Sequence, residues 1–334
     1  MQLRMFALLR ILVSLLSFEA VAWAQAGSPG KLVPLPVVYS NLSMGSSPIW
    51  IIDKAGIFRK HGLDVSLTLA QGNLPIQAMI AGSFDIGFVG AVPLIGSVLS
   101  GAKLKLTATM FDKILYALVT SRDITAGSQL KGKRIGISRV GTTSEMAARF
   151  AVSEVGLDPD RDVTMIQVGN SPERFIALRA GSIQGMAADP SDMIRAQREG
   201  FPILVDLTRS NIDFVVGGVV MTERFIRDQE KTALTFLRAY VEGLHYFKTH
   251  PEESSRVAAT MLRTTDLDAL RQSWKVYERI TPAKPYPSLK GLEPVIRLVA
   301  ARNPAALNAK PEQFIDTRFI EQIDKSGFID RLYR

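Results

Sequence analysis

The chain has no cysteine among its 334 residues, which excludes disulfides, thiolate nucleophiles and cysteine-ligated metals. The fold must therefore stand on its core. Histidine is scarce as well: His61, His245 and His250 fall at helix ends or on helical faces, without metal-ligand spacing and without a neighbouring Ser/His/Asp arrangement. No dense basic tract interleaved with aromatics exists, because lysines and arginines are scattered from Lys54 to Arg334. The formal charge of +8 thus reads as a mild field favouring anionic solutes, and nucleic-acid binding is not expected. One G-x-x-x-x-G-K match, Gly127 to Lys133, has Arg134 where a P-loop needs Ser or Thr and precedes a strand instead of following one, so no nucleotide site is expected there.

Long apolar runs are also missing. The N-terminal run from Leu8 to Leu16 is shorter than the roughly 20 residues of a spanning helix, and it lies between Arg4, Arg10 and the small-x-small patterns Ala22-Trp23-Ala24 and Ala24-Gln25-Ala26. Residues 1–26 read as a removed secretory signal, leaving a periplasmic protein that begins at Gln25 or Gly27. Without cysteine no lipid anchor is expected. The stretch from Ile86 to Leu99 is interrupted by Gly90, Pro93 and Gly96 and reads as a core strand followed by a core helix.

What is present is an α/β alternation. Apolar residues 47% of the chain and a length of 334 suit two ordinary domains. The stretch from Tyr39 to Leu69 sets the scheme. A strand from Pro36 to Tyr39 runs into small polar residues, and Ser47-Pro48 opens a helix carrying Ile49, Trp50, Ile52 and Ile57, which Gly62 ends with His61 in its last turn. A strand from Asp64 to Leu69 follows. Further strands are predicted at 84–88, 104–110, 116–120, 133–138, 164–168, 184–188 and 202–206, with helices between them. An internal echo supports two similar lobes: Gly72-Asn73-Leu74-Pro75 then Ala81-Gly82-Ser83 returns as Gly169-Asn170-Ser171-Pro172 then Ala180-Gly181-Ser182. From Thr222 onward the pattern turns helical, with helices expected at 232–248, 251–262, 267–279, 292–302 and 317–325.

In open parallel sheets, ligands sit beyond the carboxyl ends of strands, where loops enter helix N-termini that carry about half a positive charge. The loops 40–47, 71–74, 88–91, 139–144, 169–171 and 188–189 are therefore the candidates, and within them Ser43, Ser46, Ser47, Asn73, Gly90, Ala91, Gly141, Thr142, Thr143, Ser144, Asn170 and Asp189. An oxyanion would suit such a surface. The same residues could be plain helix caps, with Thr143 capping the helix through Val155 and Asp189 capping the one after Pro190. Asp189 could otherwise meet an amine on a zwitterionic ligand. Trp50 could stack on a ligand or belong to the core.

The residues Pro48, Ala55, Gly56, Phe58, Gly62, Leu63 and Val65, together with G-G-V-V-M-T-E-R-F at 217–225 and F-L-R-A-Y-V-E-G-L-x-Y-F at 236–247, carry a resemblance to a known family. The chain resembles periplasmic solute-binding proteins of the nitrate/sulfonate/taurine transport type, a family that also includes binders of thiamine-precursor pyrimidines. The resemblance implies a two-lobed, type II-like periplasmic-binding-protein fold, each lobe a mostly parallel sheet flanked by helices, with the ligand cleft between them. It implies lobe I from 31–112 and 216–334, including a helical tail that packs on it, and lobe II from 113–215. Gly141-Thr142-Thr143-Ser144 is similar to the Gly-Ser/Thr-Thr-Ser loop with which this family holds an anionic group. The function implied is a monomeric receptor, without cofactor or metal, that closes by hinges near 111–116 and 213–220 on a small anionic or zwitterionic solute. Its partners would be a membrane permease and its ATPase. The alternative is a pyrimidine-precursor binder or an enzyme like the eukaryotic thiamine-pyrimidine synthases, which use pyridoxal phosphate and a cysteine-rich motif that this chain lacks.

Overall fold

A computed structural model describes residues 31–210 and 213–334, so the expected signal segment lies outside the described residues. The strand β1 (Val33–Tyr39) leads through a 3-10 turn at Met44–Ser46 into α1 (Ser47–Lys54) and α2 (Ile57–Lys60), then β2 (Leu63–Leu69). The single helix expected from Ser47 to Gly62 is thus two. Gly56 at φ +69° is the break, and its left-handed backbone cannot continue a helix. Next come α3 (Leu74–Ile80), β3 (Ile86–Gly90), α4 (Ala91–Leu99) and β4 (Leu104–Phe111).

The chain then crosses to a second sheet with β5 (Ala117–Thr120), β6 (Lys133–Ile137), α5 (Thr143–Glu154), β7 (Val163–Gln167), α6 (Ser171–Arg179), β8 (Gly185–Ala188), α7 (Pro190–Arg198) and β9 (Ile203–Asp206). It returns with β10 (Gly217–Thr222). Each sheet has five strands, ordered β2-β1-β3-β10-β4 and β7-β6-β8-β5-β9. β1 is parallel to β2 and β3, and β6 to β7 and β8, whereas β10 is antiparallel to β3 and β4 and β5 to β8 and β9. The reversed strand in each sheet is the one fed from the other. Arriving at the end where the two sheets face one another, it must run away from that end.

The sequence echo falls on equivalent places, since Gly72-Asn73 follows β2 and Gly169-Asn170 follows β7, the corresponding edge strands. α3 has 7 residues and α6 has 9, so the second copy is one half-turn longer.

The tail comprises α8 (Glu223–Asp228), α9 (Glu230–Thr249), α10 (Pro251–Leu262), α11 (Leu267–Ile280), α12 (Leu289–Ala300), α13 (Arg318–Lys325) and α14 (Phe328–Leu332). α9 covers α1 and α2, with Phe58 of α2 stacked on Phe236 at 5.3 Å, and this apolar layer holds Trp50, Tyr240 and Phe319. A second layer is continuous across both sheets, running from Leu94 and Leu106 through Ile114 and Val215 at the crossovers to Ile135 and Val152. A third, around Phe175, Met186 and Phe201, closes the far face of the second sheet. The tail does not keep to the first sheet as expected: α11 also packs on α7, and Arg198 pairs with Asp266 at 3.1 Å.

Candidate functional site

The carboxyl ends of the parallel strands of both sheets face a cavity of about 100 Å³ at the crossovers. From the first sheet come Ser40, Asn41, Ser43, Ser46 and Gly90; from the second Ser138, Thr142, Thr143, Ser144, Asn170 and Asp189. The crossover residues Phe111, Tyr116 and Val216 form its floor, and Tyr277 reaches it from α11. The sheets also touch across it. The Leu42 amide donates to Asn170 Oδ1 at 3.4 Å, and outside the cavity Asn73 Nδ2 donates to the Val140 carbonyl at 3.3 Å. A Cβ on Gly90 would be driven into Thr143 Oγ1 from the opposite loop, so any larger residue there would displace that hydroxyl.

The loop from Ser138 to Ser144 turns at Gly141, whose φ of +75° favours glycine. Thr142, not Thr143, occupies the position before the first residue of α5, and its side chain makes no cap bond. Its hydroxyl donates instead to the Arg139 carbonyl at 2.7 Å and lies 2.9 Å from Ser138 Oγ and 3.1 Å from Ser144 Oγ. Ser144 Oγ accepts from the Ser138 amide at 2.9 Å. Three hydroxyls are thereby fixed beside the first turn of α5, where amides are unfilled by the usual capping oxygen. Glu145, 3% exposed, accepts from the Gly141 amide at 2.6 Å and holds the loop from behind.

Other candidates are not brought to the cavity. Trp50 is 1% exposed and packs edge-on against Tyr39 at 6.1 Å, so it is a core residue and cannot stack on a ligand there. Ser47 is fully buried in the first turn of α1, and the Ala91 amide donates to the Val216 carbonyl at 2.9 Å. Neither lines the cavity. Asn73 and Gly141 border a separate, larger groove between α3, α4 and α5, of about 770 Å³. Ser43 Oγ accepts from the Gly45 amide at 3.2 Å and from Asn41 Nδ2 at 2.8 Å, and Ser46 Oγ donates to the Asn41 carbonyl at 2.6 Å, so both shape the rim as well as line it.

The charged groups are the ones the sequence did not disclose in full. Arg174, on α6, is 3% exposed; its Nε donates to the Ala187 carbonyl at 3.0 Å and its Nη1 to the Gly169 carbonyl at 2.5 Å. Burial lowers its pKa, opposed by Tyr116, Asp189 and Asp192. Asp189 Oδ1 caps α7 by accepting from the Ser191 and Asp192 amides at 3.0 and 3.1 Å. Burial, with Asp189 beside it, pushes the Asp192 carboxyl up to about 7. Burial likewise raises the Tyr116 phenol to about 12, with Arg174 opposing and Asp189 adding, and raises Tyr277 far above the ordinary range. Both phenols are neutral donors at any working pH.

Residues 45–254 match the NMT1/THI5-like family. The chain belongs to that family. A Brucella abortus protein provisionally named a binding protein is 27% identical over 237 residues, covering 69% of this chain and 72% of its own. Among solved structures, the periplasmic aliphatic sulphonate binding protein SsuA of Escherichia coli superposes with a TM-score of 0.67 at 16% identity, covering 85% of this chain and 92% of its own. The periplasmic nitrate-binding protein NrtA of Synechocystis PCC 6803 does so with 0.67 at 11% identity, covering 89% of each. At those identities the likeness establishes the fold, that of the periplasmic binding proteins. Within this NMT1/THI5-like chain, the reading of loops missed Arg174, Tyr116 and Tyr277. An Arg within a helix reads as a solvent-facing residue, but Arg174 falls on the buried stripe of Ser171, Phe175 and Leu178, while Ile176 on the other face is 63% exposed. Tyr277 arrives from a helix far along the chain, and no local spacing marks it.

Proposed function

We propose that this protein is an extracytoplasmic solute-binding receptor of an ABC importer. Lobe I, residues 31–112 and 216–334, and lobe II, residues 113–215, close about the crossovers near 111–116 and 213–220 on a small anionic or zwitterionic solute. The exported, signal-cleaved monomer then delivers that solute to a membrane permease and its ATPase. The observation that carries this reading is the cavity between the lobes, which three fixed hydroxyls, the start of α5 and the buried Arg174 all line. Such a surface binds an oxyanion without covalent chemistry. Sulphonate and nitrate binding by structurally similar proteins supports the solute class. Among the described residues no helix is long and apolar enough to cross a membrane, and no cluster of acidic and histidine side chains could hold a metal. Nothing in the cleft or in the comparisons favours the pyrimidine alternative, and turnover of a pyrimidine precursor by the purified protein would be needed to revive an enzymatic reading.

A thermal-shift screen of nitrate, bicarbonate, sulfonates and carboxylates tests the proposal, since a solute at 100 times its dissociation constant adds about 2.7 kcal/mol of stability. X-ray scattering with the hit should show compaction or an already compact particle. A screen in which no small solute stabilises the folded protein would count against a receptor.

A further inference from the structure

Asp189 is 4% exposed, and its two carboxylate oxygens have different fates. Oδ1 accepts from the Ser191 amide and hydroxyl, each at 3.0 Å, and from the Asp192 amide at 3.1 Å. Oδ2 is buried and has no hydrogen-bond partner among the described residues. A capping aspartate needs only one oxygen for the cap, and in most proteins the other stays in water. Besides a smaller pocket beside Ser191, Asp192 and Arg195, Asp189 helps to line the cavity.

Arg174 lines the same cavity with the opposite charge. Two of its N–H groups are held by the Ala187 and Gly169 carbonyls, and a guanidinium has five. It forms no salt bridge with any described carboxylate, Asp189 included, although both are almost wholly buried. Two opposite charges enclosed in one cavity and not paired with each other are both costly to leave as they are. A monoanion would meet Arg174 but also face the free oxygen of Asp189. A molecule carrying both charges would satisfy both groups and bring no net charge into the cavity. The apolar part of the cavity wall, made by Ile49, Phe88, Phe111 and Leu115, suits a short hydrocarbon joining the two charges. With about 100 Å³ available, less than the ~150 Å³ that holds a benzene ring, it contains few heavy atoms.

We infer that the cleft selects a small zwitterion, with its ammonium group on Asp189 Oδ2 and its carboxylate or sulfonate on Arg174 and the hydroxyls of the 138–144 loop. Asp189 is then the residue that rejects plain anions. This inference rests on the receptor reading above and narrows its solute class.

The test uses matched pairs: glycine, β-alanine, γ-aminobutyrate and taurine against acetate, propionate, butyrate and ethanesulfonate, by calorimetry on the intact mature protein. At least one amine is expected to bind tenfold or more tightly than its amine-free partner, and the carboxylate and sulfonate arms tell the two anions apart. Asp189→Asn keeps a good capping residue, so the protein should stay folded, and it should remove the amine preference while leaving the plain anion's affinity equal or improved. Asp189→Ser, another capping residue, should do the same, and the melting temperature of each variant reports folding. Plain anions binding as well as their amines would overturn the inference and leave the receptor reading intact. Binding by neither set overturns both for solutes of this size, and an amine preference that survives in both folded Asp189 variants overturns the role of Asp189.

Discussion

Thr142 stands at the cap position of α5 yet donates its hydroxyl to the Arg139 carbonyl and lies within hydrogen-bond distance of the hydroxyls of Ser138 and Ser144. Its removal therefore costs no cap bond. An anion in the cavity would take that one proton from the Arg139 carbonyl, so replacing Thr142 with Ala should weaken binding of an anion-bearing solute about tenfold, since a charge-assisted hydrogen bond is worth roughly 1.5 to 3 kcal/mol, while stability drops by about 1 kcal/mol or less. Calorimetry beside a melting curve checks this, and wild-type affinity in the variant would move the anion elsewhere. Asp192 makes a prediction of the opposite kind. Its folded pKa, about 7, lies above the unfolded 3.8, so the folded state holds this proton more tightly. The stabilisation is complete below about 3.8 and is lost as pH rises toward 7, where ionisation puts a second carboxylate beside Asp189. Asp192→Asn, which cannot ionise, should gain on the wild type in melting temperature as pH rises from 4 to 8, and level off above 7. Parallel pH profiles for the two proteins would show that this carboxyl does not titrate as its burial implies.

At the scale of elements, the reversed strand β10 is the tightest fit in the first sheet. A Cβ on Gly218 would be driven into the Ala108 carbonyl oxygen, and one on Gly217 into that of Val89. Both obstacles are backbone, which cannot turn aside as a side chain can. Gly218→Ala should therefore destabilise by about 1 to 3 kcal/mol or more, read as a lower urea midpoint with unchanged slope. A midpoint equal to wild type would mean that β10 has room to shift. The Gly217-Gly218 pair was legible as part of a family-like segment, but not its reason, because close backbone approach is a property of two strands and not of one. Strands and helices were largely readable from periodicity: β6 at Lys133–Ile137 and α10 at Pro251–Leu262 lie where the pattern placed them. The short α8 and α14 were missed, since six and five residues give too few turns to show a helical period. The loops at strand ends were readable for the same reason that they work, namely that small polar residues before a helix both cap it and can face a ligand.

For the whole molecule, the two lobes are linked away from the cleft by Arg198 with Asp266 and, on another side, by Arg302, just past α12. α12 packs on α4 of the first lobe, while Arg302 pairs through Nη1 with Glu145 on α5 and through Nη2 with Asp160 Oδ1 at 3.6 Å, both in the second lobe. Arg149 bridges the same two carboxylates. No sequence signal pointed here, because the partners lie far apart in the chain and each reads alone as a surface charge. Their position matters because Glu145, whose side chain is 4% exposed, is also the acceptor for the Gly141 amide of the loop that lines the cavity. An ion pair across the groove therefore fastens the lobes together at the helix that presents the binding loop. If the lobes open by hinge motion, this contact is broken in the open state and made in the closed one, and its removal shifts the population toward open. Arg302 is half exposed, so the contact is worth about 1 kcal/mol rather than the several of a fully buried pair. Arg302→Ala should consequently expand the ligand-free particle in scattering and weaken solute binding about three- to tenfold, with Arg302→Lys recovering part of both. Unchanged radius of gyration and unchanged affinity in Arg302→Ala would show that closure is decided at the cleft alone.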